Sequence, residues 1–143
     1  MGIITYEQDL VAWANEQARL LRAGRFELID VEHLAEEIED VGKSEQRELA
    51  NRMAILLAHL LKWQKQPERR GTSWTITIRN QRRAIARALE ETPSLKGKLT
   101  DARWWEAVWG DATDLAARES GLEEFNEVCP WIAAEVLDQN WLP

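Results

Sequence analysis

Residues 72–78, TSWTITI, alternate polar with apolar side chains, the two-residue period of a half-buried strand. The same residues also open a helix. With Ser73 as N-cap, Trp74, Ile78, Ile85 and Leu89 keep one face, the stripe runs unbroken to Glu91, and Pro93 stops it. A strand needs a partner for its backbone N–H and C=O groups, and the 143 residues offer no second strand candidate. Helix is the consistent choice, and it makes the fold class all-α.

Just upstream lies the helix expected to organise the rest. Over residues 44–66, Ser44 can cap, Glu45 stands at the positive end of the dipole, and Leu49, Met53, Leu56, Leu57 and Leu60 share a face. Ala50, Ala54, Ala58 and Leu61 widen the apolar arc, which marks a central helix of a bundle. Before it, Asp30 caps a short helix whose apolar face is Val31, Leu34, Ile38 and Val41, and Gly42 ends it. The first helix opens at the capping box Thr5-x-x-Gln8 and carries Leu10, Trp13, Gln17 and Leu21, with Gly24 just past its end. Downstream, Thr100 or Asp101 starts a helix with Trp105, Val108, Ala112 and Leu115 facing inward, closed by Gly121. A shorter helix follows Pro130 through Trp131, Ile132 and Val136. The expectation is one domain over residues 1–143, a bundle of five or six helices.

Composition narrows the class of activity. Apolar residues make up 45% and charged residues 30%, as in a globular protein. The single Cys129 excludes an internal disulfide and a cysteine-cluster zinc site. No apolar run is long enough to span a bilayer, and the start, MGIITYEQDL, shows no secretory signal, so a cytoplasmic location is expected. The net charge of −7 is unevenly spread: residues 1–61 and 101–143 are acidic, and residues 62–98, with ten basic and three acidic side chains, are basic. Acidic arms folded against a basic middle is the simplest reading, and general nucleic-acid binding is disfavoured because phosphate would be repelled over most of the surface.

Several stretches occurring in order resemble the bacterial family known as domain of unknown function 29: YEQDLVAW at 6–13, EEIEDVGKSE at 36–45, HLLKWQKQPE at 59–68, SWTITIRNQR at 73–82, TPSL at 92–95, ESGL at 119–122 and CPW at 129–131. The resemblance spans nearly the whole chain. It implies a small all-α protein and brings no established activity or catalytic residues with it.

Three groups of residues could carry chemistry. Glu37, Asp40 and His33 share one flank of the second helix, while Glu32, Glu36 and Glu39 point to solvent. Close carboxylates need a counter-charge, which Lys43, Arg82 or a divalent cation would supply. The EEIED run also matches the Glu-Glu-x-x-Asp/Glu pattern of all-α nucleotide pyrophosphatases, but their second Glu-x-x-Asp element is missing at the expected distance. His59, on the central helix near Trp63, is either a packed ring or a ligand or general base facing Glu37 and Asp40 from the next helix. Arg79, Arg83 and Arg87 line one solvent face at i, i+4, i+8, suited to an anionic surface, with Trp63 and Trp74 as stacking candidates. Arg82 lies at the core edge and is read as the internal ion-pair partner of the acidic flank.

Eight tryptophans are many for this length, and the adjacent Trp104 and Trp105 point about 100° apart on a helix, so one of them should cover a groove or a partner. Surplus tryptophan, segregated charge and the lack of a complete catalytic set favour a helical binding module. Its expected partner is another protein, self-association is a further form of the same binding, and no cofactor is expected. The alternative is a magnesium- or manganese-dependent nucleotide or phosphoester hydrolase using the 36–40 carboxylates, with metal candidates Glu37, Asp40, His33 and His59.

Overall fold

The computed structural model describes residues 4–143, and the absence of a secretory signal falls partly on residues outside that range. Five α-helices follow one another: α1 (Leu10–Arg22), α2 (Val31–Lys65), α3 (Thr72–Glu91), α4 (Ala102–Ser120) and α5 (Ala133–Leu137), with 3-10 turns at Phe26–Leu28, Pro67–Arg69 and Pro93–Thr100. No strand occurs among the described residues. None of the helices is long and apolar enough to cross a membrane.

The ambiguous segment is the start of α3. Gly71, not Ser73, occupies the N-cap position. The threonines that suggested a strand turn their hydroxyls onto the helix's own carbonyls: Thr75 Oγ1 donates to Thr72 O at 2.9 Å and Thr77 Oγ1 to Ser73 O at 3.0 Å. Ile78, Arg82, Ile85 and Leu89 are its buried face, at helical spacing, whereas Ile76 is exposed.

A second expectation is corrected. Gly42 and Ser44 do not separate two helices, because α2 runs through both without a break for 35 residues. Gly42 meets no neighbour there and does not have a positive φ, so it costs only about 1 kcal/mol against alanine. One other boundary shifts. Thr5 and Gln8 form one of the two capping-box bonds, Thr5 N donating to Gln8 Oε1, but in a turn before the helix, and Asp9 caps α1 itself. Gly24 and Gly121 take the left-handed conformation just past α1 and α4, the position that favours glycine.

The chain forms two compact units, the first ending at Glu45 and the second running Gln46–Pro143. In the second, the expected central helix is the part of α2 from Gln46 onward. Leu49, Met53, Leu56, Leu57, Ala58, Leu60 and Leu61 are buried there against Ile78 and Ile85 of α3, Val108, Trp109 and Ala112 of α4, and Val136 of α5. Each leucine, isoleucine, valine or methionine among them, fully buried, contributes about 1.5–3 kcal/mol of transfer free energy. In the first unit only Trp13, Gln17 and Leu20 are buried among the described residues, all on α1. The charge divides the same way: the first unit holds eleven acidic and four basic residues, the second fourteen of each.

Candidate functional site

The first unit is assembled around Asp30, the residue before α2. Its carboxylate accepts from Trp13 Nε1 at 3.0 Å and bonds His33 Nδ1 at 2.7 Å, and its backbone N–H donates to Gln17 Oε1 at 2.7 Å. The two buried polar groups of α1 are thus satisfied by one residue, which also caps α2 through a long 3.4 Å bond from His33 N. His33 stacks on Tyr6 with ring centroids 4.2 Å apart, and its Nε2 lies 3.2 Å from Glu7 Oε1. The hydrogen bond to Asp30 raises the His33 pKa above the usual imidazole value, partly offset by desolvation, and the same bond lowers that of Asp30. Tyr6 donates to Glu37 Oε1 at 2.5 Å, and this bond, with burial and the nearby carboxylates, pushes the phenol up to about 12.

Glu37 and His33 therefore do share a flank, but each is engaged by Tyr6, to which the sequence pattern assigned no role. Asp40 is exposed. No group of three or more His, Cys, Asp or Glu residues among the described ones is placed to share a cation. His59 cannot face Glu37 and Asp40 from the next helix, because all three lie on α2. Its ring is partly buried, Nδ1 lies 2.9 Å from Ile55 O one turn back, and burial lowers its pKa.

Arg82 is 3% exposed, and its hydrogen-bond acceptors lie in its own unit. Its Nε donates to Val136 O at 2.8 Å and an Nη to Trp141 O at 2.7 Å, so it fastens the C-terminal segment to α3. The ion-pair reading is corrected: the acceptors are backbone carbonyls, among them one in the last turn of α5, whose orphan groups attract a cation. Arg79, Arg83 and Arg87 are exposed on α3. Trp63 and Trp74 are half-buried, and each already has a cation on its ring: Arg70 at 5.0 Å over Trp63 and Lys62 at 5.5 Å over Trp74. Lys62, itself buried, pairs with Glu119 at 2.5 Å.

Of the apolar face expected for the start of α2, Leu34 is half-buried and the other three side chains turn outward. Val31 is 65% exposed, Ile38 70% and Val41 67%. They fall on one stripe of the helix with Ala35, bordered by the exposed carboxylates of Glu32, Glu39 and Glu45. Leu10, Val11, Leu21, Phe26 and Leu28 are also exposed in this unit. Outward aliphatic side chains on so acidic a unit are the feature most in want of an explanation.

No curated protein and no solved structure matched the chain. The family model described as Domain of unknown function DUF29 matches residues 5–142, nearly its whole length, and the motifs quoted above fall within that span. The chain belongs to the family Domain of unknown function DUF29.

Proposed function

We propose that the protein is a helical binding module whose first unit docks a basic amphipathic helix of a partner protein. The observation that carries this reading is the Val31–Ala35–Ile38–Val41 stripe, apolar and open to solvent. An amphipathic helix laid on such a stripe removes aliphatic surface from water, at roughly 25 cal/mol per Å². The surrounding carboxylates select the sign of the partner's charge. With eleven acidic and four basic residues, the unit repels a second copy of itself and attracts lysine and arginine. Binding of this kind needs no cofactor and no reaction.

The test uses three labelled synthetic peptides on the full chain: a leucine–lysine amphipathic helix, its leucine–glutamate counterpart and a scrambled leucine–lysine sequence. Only the first should bind, more weakly as salt screens the carboxylates. Ile38→Asp should reduce that affinity by at least about thirty-fold, because it places a charge in the apolar contact, while leaving the unfolding midpoint within about 0.5 kcal/mol, as for an exposed site. Equal binding of the scrambled peptide, indifference to Ile38→Asp, or a concentration-dependent dimer that Ile38→Asp dissociates would overturn the reading.

A further inference from the structure

The second unit contains an open pocket of about 740 Å³, between the start of α4 and the irregular segment that precedes α5. That volume lies within the usual range for small-molecule sites. Trp105, Trp109 and Trp131 form its aromatic walls, Glu106 and Glu127 line it as exposed residues at the mouth, and no lysine or arginine contributes to it.

Two of the three indole N–H groups are already engaged by the chain's own carbonyls. Trp105 Nε1 donates to Leu99 O at 2.6 Å and Trp109 Nε1 to Asn126 O at 2.8 Å, so neither N–H is free to bind an acceptor. Trp109 and Trp131 stand perpendicular, with centroids 5.8 Å apart. Perpendicular rings give two differently oriented walls, and an indole face carries negative potential. Cys129 also lines the pocket, but burial raises its thiol pKa and Sγ lies 3.5 Å from Trp131 O, which disfavours a nucleophilic role.

Aromatic walls, two carboxylates at the mouth and no opposing cation form a receptor for one kind of group. We propose that this pocket binds an alkylated ammonium cation on an apolar stem. Such a cation sheds water easily, fits against indole faces and draws Coulomb attraction from Glu106 and Glu127. A free quaternary amine and a methylated lysine side chain present the same chemistry. The proposal concerns residues of the second unit alone and does not depend on the stripe of the first.

The experiment titrates the full chain with choline, with its uncharged isostere 3,3-dimethylbutan-1-ol, and with a short peptide carrying either trimethyl-lysine or lysine. Binding is followed by indole fluorescence and by the NMR signals of the tryptophan side-chain N–H groups. Choline or the trimethyl-lysine peptide should bind at least about ten-fold more tightly than the uncharged isostere, and whichever binds more tightly identifies the source. Glu106→Gln with Glu127→Gln should weaken binding several-fold without moving the unfolding midpoint, since both side chains are exposed. Trp131→Leu should abolish it. Equal affinity for the uncharged isostere, no response to either cation at about 10 mM, or full binding by the double glutamine variant would sink the proposal.

Discussion

The two units of this chain satisfy their interiors by opposite means. In the second, the buried surface of α2, α3 and α4 is nearly all aliphatic and aromatic, with the charges of Lys62 and Arg82 each tied to a defined acceptor. In the first, the three buried side chains include Gln17 and the Trp13 indole, both bonded to Asp30, while Val31, Ile38 and Val41 face water. One unit is held by apolar burial and has no net charge. The other is held by a polar hub, carries the whole net charge and shows its aliphatic surface outside. The second unit therefore holds most of the apolar burial, and the first leaves much of its aliphatic surface exposed.

If that division is right, truncating the same side chain in each unit should have unequal consequences. Leu57 is fully buried, so Leu57→Ala should cost about 3–5 kcal/mol, through lost transfer energy and a cavity its packed neighbours cannot close. Leu20, buried in a unit whose other buried side chains are only Trp13 and Gln17 among the described residues, should cost about 2 kcal/mol on truncation to alanine. Urea unfolding of the two variants measures both. Equal losses would show that the first unit has a packed interior of its own and would break the contrast.

Arg82 tests one of the second unit's two buried charges. Arg82→Met leaves the carbonyls of Val136 and Trp141 without their donor and should cost on the order of 2–3 kcal/mol. Arg82→Lys keeps the charge but not the fork, and should recover only part of the loss. Both variants should also speed proteolysis beyond Val136, since the guanidinium is what fastens that segment. A loss confined to stability, with the C-terminal segment as resistant as before, would assign the residue a different role.

These contrasts also mark where the sequence was informative. The all-α class was legible because a lone strand at Trp74 would have had no partner, an argument about backbone groups that needs no coordinates. The length of α2 was not, because Gly42 and Ser44 look like punctuation, and burial of the helix's C-terminal half overrides one weak residue. Arg82 could be placed at the core edge from its neighbours Ile78 and Ile85, but its acceptors could not be found, since backbone carbonyls carry no residue signature. The Val31–Ile38–Val41 stripe shows the same limit. Periodicity tells which side chains share a face and leaves open what, if anything, covers it. The pairing of Trp104 with Trp105 did point to a groove, and Trp105 lines the pocket with the adjacent Glu106, but Trp131 and Glu127 come from sequence positions with no spacing relation to it.

The smallest effect expected, and the one that sharpens the comparison most, comes from the two histidines, since each unit contains one. His33 bonds Asp30 and lies near Glu7 and Glu36, which raise its pKa. Its stabilising contribution is therefore fully present below the ordinary imidazole value of about 6.5 and is lost as pH rises through the raised value in the folded protein. His59 is lowered by burial, with Lys62 acting in the same direction and the Ile55 carbonyl and Glu119 against it. Its contribution is present above the ordinary value and is lost as pH falls through the lowered one. With only two histidines in the chain, both ring titrations can be followed by NMR, His33 with a midpoint above the ordinary value and His59 with one below it. The Trp13 indole N–H, bonded to the same Asp30 carboxylate as His33, should shift with the first titration and not with the second. His33→Gln should remove that response and leave the His59 curve where it was. Two midpoints together at the ordinary value would mean that Asp30 does not hold the imidazolium, and the polar hub would lose its charged member.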